Sequence, residues 1–146
     1  MDAFDADVLI YAAVPGHPLG RRVLTLFVDM PLAGTDTMAM IGSVLLLPEV
    51  LAKPLRRGDA VELEALAAIL GRLNLRPVDG GTARLAVALA AAHRLKPGDA
   101  VHLATAVGEG ADRFVTNNRR DFPQSITEID ITYPDALPDP PLPGVR

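Results

Sequence analysis

Cysteine is absent from this 146-residue sequence, tryptophan is absent too, and aromatic residues of all kinds make up only 4% of it. Without cysteine the chain has neither a disulfide framework nor a thiolate metal site. Any bound metal must therefore be held by oxygen atoms or imidazole nitrogens. Oxygen ligands favour magnesium or manganese over the softer transition metals.

Long apolar runs are also missing, because no stretch approaches the roughly 20 residues that a membrane span needs. The N-terminus carries Asp2 and Asp5 where a secretion signal would have a basic region followed by an apolar one. We therefore expect a cytoplasmic protein without a membrane segment.

The sequence also lacks an excess of positive charge. It has 14 basic and 18 acidic residues, and its formal net charge is -4. This balance argues against a protein that grips nucleic acid by bulk electrostatics. The argument against nucleic-acid binding is weaker if some of the acidic residues bind a metal ion, because they then no longer repel an anionic ligand. Arginine pairs at 21–22, 56–57 and 119–120 offer local basic patches.

Apolar residues make up 49% of the chain and charged residues 22%, which is typical of a folded globular protein. The length corresponds to one domain. Five prolines lie among the last thirteen residues, and proline neither continues a helix nor pairs within a sheet. We predict a domain over residues 1–133 and a proline-rich C-terminal tail over 134–146 that is extended or disordered.

Hydrophobic periodicity predicts alternating strands and helices. The predicted strands cover about 3–5, 73–78, 113–116 and 127–132, and the predicted helices cover about 17–29, 41–53, 59–70, 82–95 and 99–108. Pro54 is expected to end the second of these helices. Strands separated by helices indicate an α/β protein with three layers, in which helices cover both faces of a mainly parallel sheet. Ligands of such proteins bind beyond the carboxyl ends of the strands.

Four polar residues stand in otherwise apolar segments: Asp5 in AFDADVLIY, Glu49 in SVLLLPEVL, Asp99 in LKPGDAVHLATA and Asn118 in FVTNNRRDF. Each has a purely structural interpretation as well. Asp5 and Asp99 are both suited to cap a helix, and for Asp99 alone, after Pro97 and Gly98, the cap is favoured. For Glu49 a solvated helix position and a functional position are equally acceptable.

As a set, however, the four residues predict a metal site. Their predicted places can all meet at one edge of a parallel sheet. In chain order these places are a strand end, a helix interior, a helix start and a final strand end. Carboxylates placed together repel one another unless a cation lies between them. Mg²⁺ needs only a few carboxylates and keeps several waters.

These motifs, in this order, resemble the PIN domain family of metal-dependent nucleases, and within it the VapC-type toxins of bacterial toxin–antitoxin pairs. The resemblance covers about residues 3–132. It implies metal ligands at Asp5, Glu49 and Asp99, and a polar residue at Asn118, with Thr116 beside it to orient water or phosphate. It also implies an Mg²⁺- or Mn²⁺-dependent endoribonuclease that acts on RNA, forms a homodimer and is silenced by a cognate antitoxin protein.

Two positions depart from the family pattern. Asn118 supplies a carbonyl oxygen where the family often has a carboxylate, so one metal ion is a safer expectation than two. Asp2 interrupts the apolar first strand, which is therefore expected to start at Ala3. His102 is interpreted as a helix residue near the site and His17 as a surface residue. One apolar helical surface is either core or an antitoxin groove, with the core favoured; it comprises Leu63, Leu66, Ala67 and Leu70.

Two other functions remain open from the sequence. FDADVL also looks like the start of a haloacid-dehalogenase-like phosphatase, with Asp5 as the nucleophile and Asp7 as the general acid. Such an enzyme needs a further acid four residues after the Asp of its Gly-Asp pair, where this chain has Leu103. The other alternative is a non-catalytic PIN-like scaffold that binds a protein. Which RNA is cut is not predicted.

Overall fold

A computed structural model of the chain describes residues 1–27 and 40–141. Within them, five strands form one sheet: β1 (Asp2–Phe4), β2 (Met40–Ser43), β3 (Asn74–Arg76), β4 (Arg113–Val115) and β5 (Asp130–Thr132). Six α-helices surround it: α1 (Ala6–Ala13), α2 (Pro18–Leu24), α3 (Leu46–Arg57), α4 (Ala60–Leu70), α5 (Gly80–His93) and α6 (Pro97–Gly108). Short 3₁₀ helices cover Thr25–Phe27 and Pro134–Ala136.

All strand pairs in this sheet are parallel, and the spatial order is β3-β2-β1-β4-β5. The chain first adds β2 and β3 on one side of β1, and it later adds β4 and β5 on the other side. The topological switch point therefore lies between β1 and β4. β1 begins at Asp2, so the expected start at Ala3 was wrong. Asp2 is accommodated because Arg113, its register partner on β4, donates to its carboxylate at 2.7 Å.

Alternating strand residues face two separate apolar clusters, as the pleat requires. Ala3 and Phe114 pack with buried residues of α5 and α6, whereas Phe4 and Val115 pack with buried residues of α1 to α4. The sheet thus lies between two helical layers. This arrangement confirms the predicted three-layer α/β/α fold with a parallel sheet.

Side-chain caps mark where several helices begin. Asp59 accepts a hydrogen bond from the amide of Glu62 at 3.1 Å, so α4 begins where the sequence predicted. Asp79 caps α5 in the same way through Thr82, which starts this helix slightly earlier than predicted. None of the helices in residues 1–27 and 40–141 is long and apolar enough to cross a membrane.

The predicted helix over 41–53 was wrong at both ends. Met40–Ser43 is a fully buried strand, and a short strand covered on both faces has no alternation that would distinguish it from a helix. α3 then runs through Pro54 to Arg57 and ends at Gly58, whose φ of 66° suits the left-handed C-cap. Residues 28 and 29 of the predicted first helix lie outside the described residues.

The proline-rich segment, expected to be extended or disordered, packs against α2 as far as residue 141. Pro134–Ala136 forms a 3₁₀ turn, and Leu137 is 3% exposed. Arg22 donates to the carbonyl of Leu137 at 2.7 Å, and Arg21 donates to that of Pro140 at 3.0 Å. Buried apolar contacts and arginine hydrogen bonds therefore hold this segment in place up to residue 141.

Candidate active site

Asp5 lies at the carboxyl end of β1, at the switch point of the sheet. Its amide continues the parallel ladder by donating to Val115 at 3.0 Å, and its Oδ1 accepts from the amide of Ala6 at 2.8 Å as the cap of α1. Its Oδ2 accepts a 2.8 Å hydrogen bond from Thr116, directly after β4. Strand ends 111 residues apart along the chain are thus joined at one carboxylate. The structure therefore brings Asp5 and Thr116 into direct contact.

Asn118 organises the loop that follows Thr116. Its amide donates to Oγ1 of Thr116 at 3.1 Å, and its side chain both donates to the carboxylate of Asp121 and accepts from the amide of Asp121. The side chain of Asn118 is therefore engaged within the loop. Asp121, which we did not single out from the sequence, brings a further acid to this side of the site.

Glu49 lies in the first turn of α3, so its expected place in a helix interior was wrong. Its Oε2 lies 2.8 Å from Nε2 of His102 on α6, and a Cβ on Gly98 would lie 3.4 Å from its Oε1. The His102 side chain is 1% exposed, and its Nδ1 has no hydrogen-bond partner within the described part of the chain. This pairing identifies Nε2 as the nitrogen that donates to Glu49.

Asp99 lies in the first turn of α6, but it does not cap that helix. Lys96 occupies the cap position and Pro97 opens the helix, so the cap interpretation of Asp99 was wrong. The reason is that proline is favoured at the first helical position, which moves the cap to the residue before it. The Asp99 carboxylate is consequently available to the site, where it is half-buried.

Asp7 is the second acid that the sequence analysis did not assign to the metal site. It lies on the first turn of α1, and its Oδ2 accepts a 3.0 Å hydrogen bond from the amide of Asn117. This contact ties α1 to the loop after β4. The sequence does hold a signal for Asp7, because two acids separated by one residue at a strand-to-helix junction both lie near the strand end. In the sequence, Asp7 had a role only in the phosphatase alternative.

The carboxylates influence one another's protonation. Burial, followed by the charge of Asp5, raises the pKa of Asp7 to about 7. Burial also raises the pKa of Asp5 despite the hydrogen bond from Thr116, and it raises that of Asp99, with Asp5 and Asp121 adding to the effect. Glu49 acts on both in the same direction. Desolvated acids that repel one another form a site that favours a bound cation.

The chemistry of these donors fits Mg²⁺ or Mn²⁺, which prefer carboxylate oxygens. Within residues 1–27 and 40–141, however, no three acidic or histidine side chains are arranged closely enough to form a complete ligand set. Mg²⁺ is commonly held by one or two carboxylates with water completing its octahedron, so such an arrangement still suits it. Asp5, Glu49 and Asp99 belong to one acidic site, while their individual roles as ligands stay predictions.

A parallel, doubly wound sheet with acids gathered at its switch point defines an α/β protein of the ligand-binding or catalytic kind. A sequence model of the PIN domain matches residues 3–125. The chain therefore belongs to the PIN domain family, as the motifs predicted. No curated protein matches the sequence significantly.

Solved structures of similar fold include several toxin–antitoxin complexes. A chain of a toxin–antitoxin complex from Klebsiella pneumoniae is 22% identical, with a TM-score of 0.71 over 92% of this chain and 98% of the other. A chain of VapBC2 from Rickettsia felis bound to a promoter DNA fragment is 16% identical, with a TM-score of 0.67 over 90% and 97%. A chain of DNA-bound VapBC from Salmonella typhimurium is 21% identical, with a TM-score of 0.64 over 91% and 97%. The PIN-like fold thus extends over nearly the whole chain.

Proposed function

We propose that this chain is a metal-dependent endoribonuclease, using Mg²⁺ or Mn²⁺, and the toxin of a type II toxin–antitoxin pair. The observation that carries the proposal is the group of electrostatically coupled carboxylates at the switch point of a PIN-family sheet. Burying carboxylates that repel one another costs stability, so the helix cap and hydrogen bonds that they form do not by themselves account for their grouping. Its value lies in binding a cation that a phosphodiester substrate can approach.

Each residue then has a distinct task. Asp5 and Asp99 hold the ion, directly or through water, and Thr116 keeps Asp5 in place by its 2.8 Å hydrogen bond. When bound, the ion stabilises charge on the phosphate and lowers the pKa of a coordinated water. Glu49 orients the attacking water or takes its proton. Asn118 holds the loop that lines this side of the site.

His102 is a positioning residue in this scheme. Its 2.8 Å contact engages Oε2 of Glu49, and the Glu49 side chain is 38% exposed, so Oε1 is the oxygen left to act on water. The sequence analysis placed His102 near the site without assigning it a partner. The two residues are 53 positions apart, so no local pattern reveals the contact.

The expected partner is an antitoxin, since the similar structures are described as toxin–antitoxin complexes. A basic side chain of that protein would satisfy the same carboxylates that otherwise attract the metal ion. We also propose that the chain forms a homodimer, as the family resemblance implies. Co-expression with the product of a neighbouring short reading frame, followed by size-exclusion chromatography, tests both points.

The decisive experiment compares the wild type with Asp5→Asn on total RNA in Mn²⁺ and in chelator. The amide has the size of the carboxylate but not its charge, so cleavage should disappear while folding remains. Asp130→Asn is the matched control, because Asp130 is exposed on β5 and outside the acidic site. Undiminished cleavage by Asp5→Asn would refute the proposal. Mapping should find 5′-phosphate and 3′-hydroxyl ends.

One observation favours a second candidate, a PIN-like scaffold without nuclease activity. Within the described residues no complete three-residue ligand set is assembled. Calorimetry with Mn²⁺ separates the two, because the scaffold binds no ion whereas the nuclease does. The phosphatase alternative receives no such support, since the family match places the chain elsewhere. Asp7→Asn would inactivate that phosphatase and affect the nuclease only mildly.

A further inference from the structure

Aromatic rings are scarce in this chain, and almost all of them are committed to its interior. The sequence contains four phenylalanines and two tyrosines. The buried rings are those of Phe4, Phe27, Phe114, Phe122 and Tyr133. Tyr11 is the exception, being only half-buried. Any stacking of a ligand on a tyrosine or phenylalanine ring of this chain therefore falls to Tyr11.

Tyr11 lies at the rim of the acidic site. It follows Asp7 by four residues on α1, and residues with this spacing share one face of a helix. Its hydroxyl lies 3.5 Å from Nδ2 of Asn117, whose backbone amide is bound to Asp7. The phenol is thus linked to the same loop as the carboxylates, one helical turn farther from Asp5.

The ring of Tyr11 does not stand alone. His17 stacks on it with 4.4 Å between ring centroids and 7° between planes. Nδ1 of His17 accepts from the amides of Leu19 and Gly20 at 3.2 and 3.1 Å, so the imidazole is fixed as the cap of α2.

Close packing of α1 and α2 keeps this pair in place. A Cβ on Gly20 would lie 2.0 Å from the carbonyl oxygen of Tyr11, so only glycine allows this approach. A ring held rigid before binding loses little entropy when a ligand stacks on it. The two rings therefore form a preorganised stack beside the acids, which the flat ring of a ligand can extend.

We infer that the Tyr11–His17 pair is the platform on which an unpaired RNA base next to the scissile phosphate stacks. The inference rests on the proposed nuclease function, and it concerns an unpaired base because only such a base is free to leave its own stack. Stacking accepts any base, so the platform positions the strand without selecting a sequence.

The test uses kcat and KM of the full chain on single-stranded RNA oligonucleotides in Mn²⁺. An abasic nucleotide is placed at each position around the mapped cut in turn. For the wild type, one position next to the cut should lower kcat/KM about tenfold, mostly through KM. Tyr11→Leu should show about the same loss on intact RNA and no further loss at that abasic position. Tyr11→Phe keeps the ring and should therefore keep the sensitivity to that abasic position.

Val14→Ala is the control truncation, since Val14 is exposed at the end of the same helix. Equal sensitivity of Tyr11→Leu and the wild type to the abasic position would overturn the inference, as would a wild type sensitive to none. The abasic series on the wild type decides the question even if Tyr11→Leu folds poorly. If the wild type cleaves no RNA in Mn²⁺, the proposed function itself fails, and the platform with it.

Discussion

Replacing Asp7 with Asn should stabilise the metal-free protein at alkaline pH and leave its stability unchanged at acid pH. The pKa of Asp7 is raised by burial and by Asp5 to about 7 from an ordinary value of 3.8. Between about pH 4 and pH 7 the unfolded chain has lost this proton while the folded chain still holds it. The free energy of unfolding of the wild type therefore falls as the pH rises through this interval.

The magnitude follows from the same two values. At 1.36 kcal/mol for each pKa unit, the full effect is about 4 kcal/mol above pH 7. The carboxylate is partly exposed to water, which reduces this destabilisation of the wild type. We therefore expect Asp7→Asn to be about 1 to 3 kcal/mol more stable than the wild type at pH 8.5. An asparagine oxygen still accepts from the amide of Asn117, which keeps the hydrogen bond in both forms.

Urea unfolding at pH 4.5 and pH 8.5 in chelator measures this difference. Asp130→Asn serves as the control, because it replaces an exposed carboxylate outside the acidic site in the same way. A stability difference between wild type and Asp7→Asn that is the same at both pH values would refute the electrostatic argument. It would indicate that Asp7 acts only through its contact with Asn117.

Three further predictions concern the core, the helix junction and the ion. Leu66→Ala should lower the free energy of unfolding in urea by about 2 to 5 kcal/mol, because Leu66 is 0% exposed. Val61→Ala on the same helix, where Val61 is 81% exposed, should change it by less than about 0.5 kcal/mol. Gly20→Ala should cost about 1 to 3 kcal/mol, since its Cβ cannot avoid Tyr11 unless α1 and α2 separate; an unchanged urea midpoint would contradict the packing described. Mn²⁺ at about 100 times its dissociation constant should stabilise the wild type by about 2.7 kcal/mol in thermal unfolding, and an equal gain for Asp99→Asn would exclude Asp99 from the ion site.

The fold was predictable from the sequence wherever a pattern was long enough to show a period. The helix after Asp59 and the parallel arrangement both follow from such patterns. The strand Met40–Ser43 was missed because four buried residues carry no alternation. Pro54 was overweighted as a stop, since burial of Leu46 and Val50 on the same helix stabilises α3 enough to tolerate a proline near its end.

The acidic site was predictable in part, through residues whose type conflicts with their surroundings. Asp5 stands at the end of an apolar strand, and Glu49 and Asp99 lie in apolar helical segments. Asp7 and Asp121 were not assigned to the site, because an acid in a polar loop or near a helix start has an ordinary local explanation. Their membership shows in the tertiary structure, where the charges of Asp5 and Asp99 help to raise the pKa of Asp7 and the charge of Asp121 helps to raise that of Asp99.

The amino-acid sequence by itself determined the chemical types of the donors, the absence of thiolates and the alternation that produces a parallel sheet. These properties are local, because they depend on a residue and its near neighbours along the chain. The tertiary structure alone decided which donors meet. The contact of Glu49 with His102, and that of Thr116 with Asp5, join residues 53 and 111 positions apart. Such contacts are set by how the strands pair and how the helices pack on the sheet, which no single segment encodes.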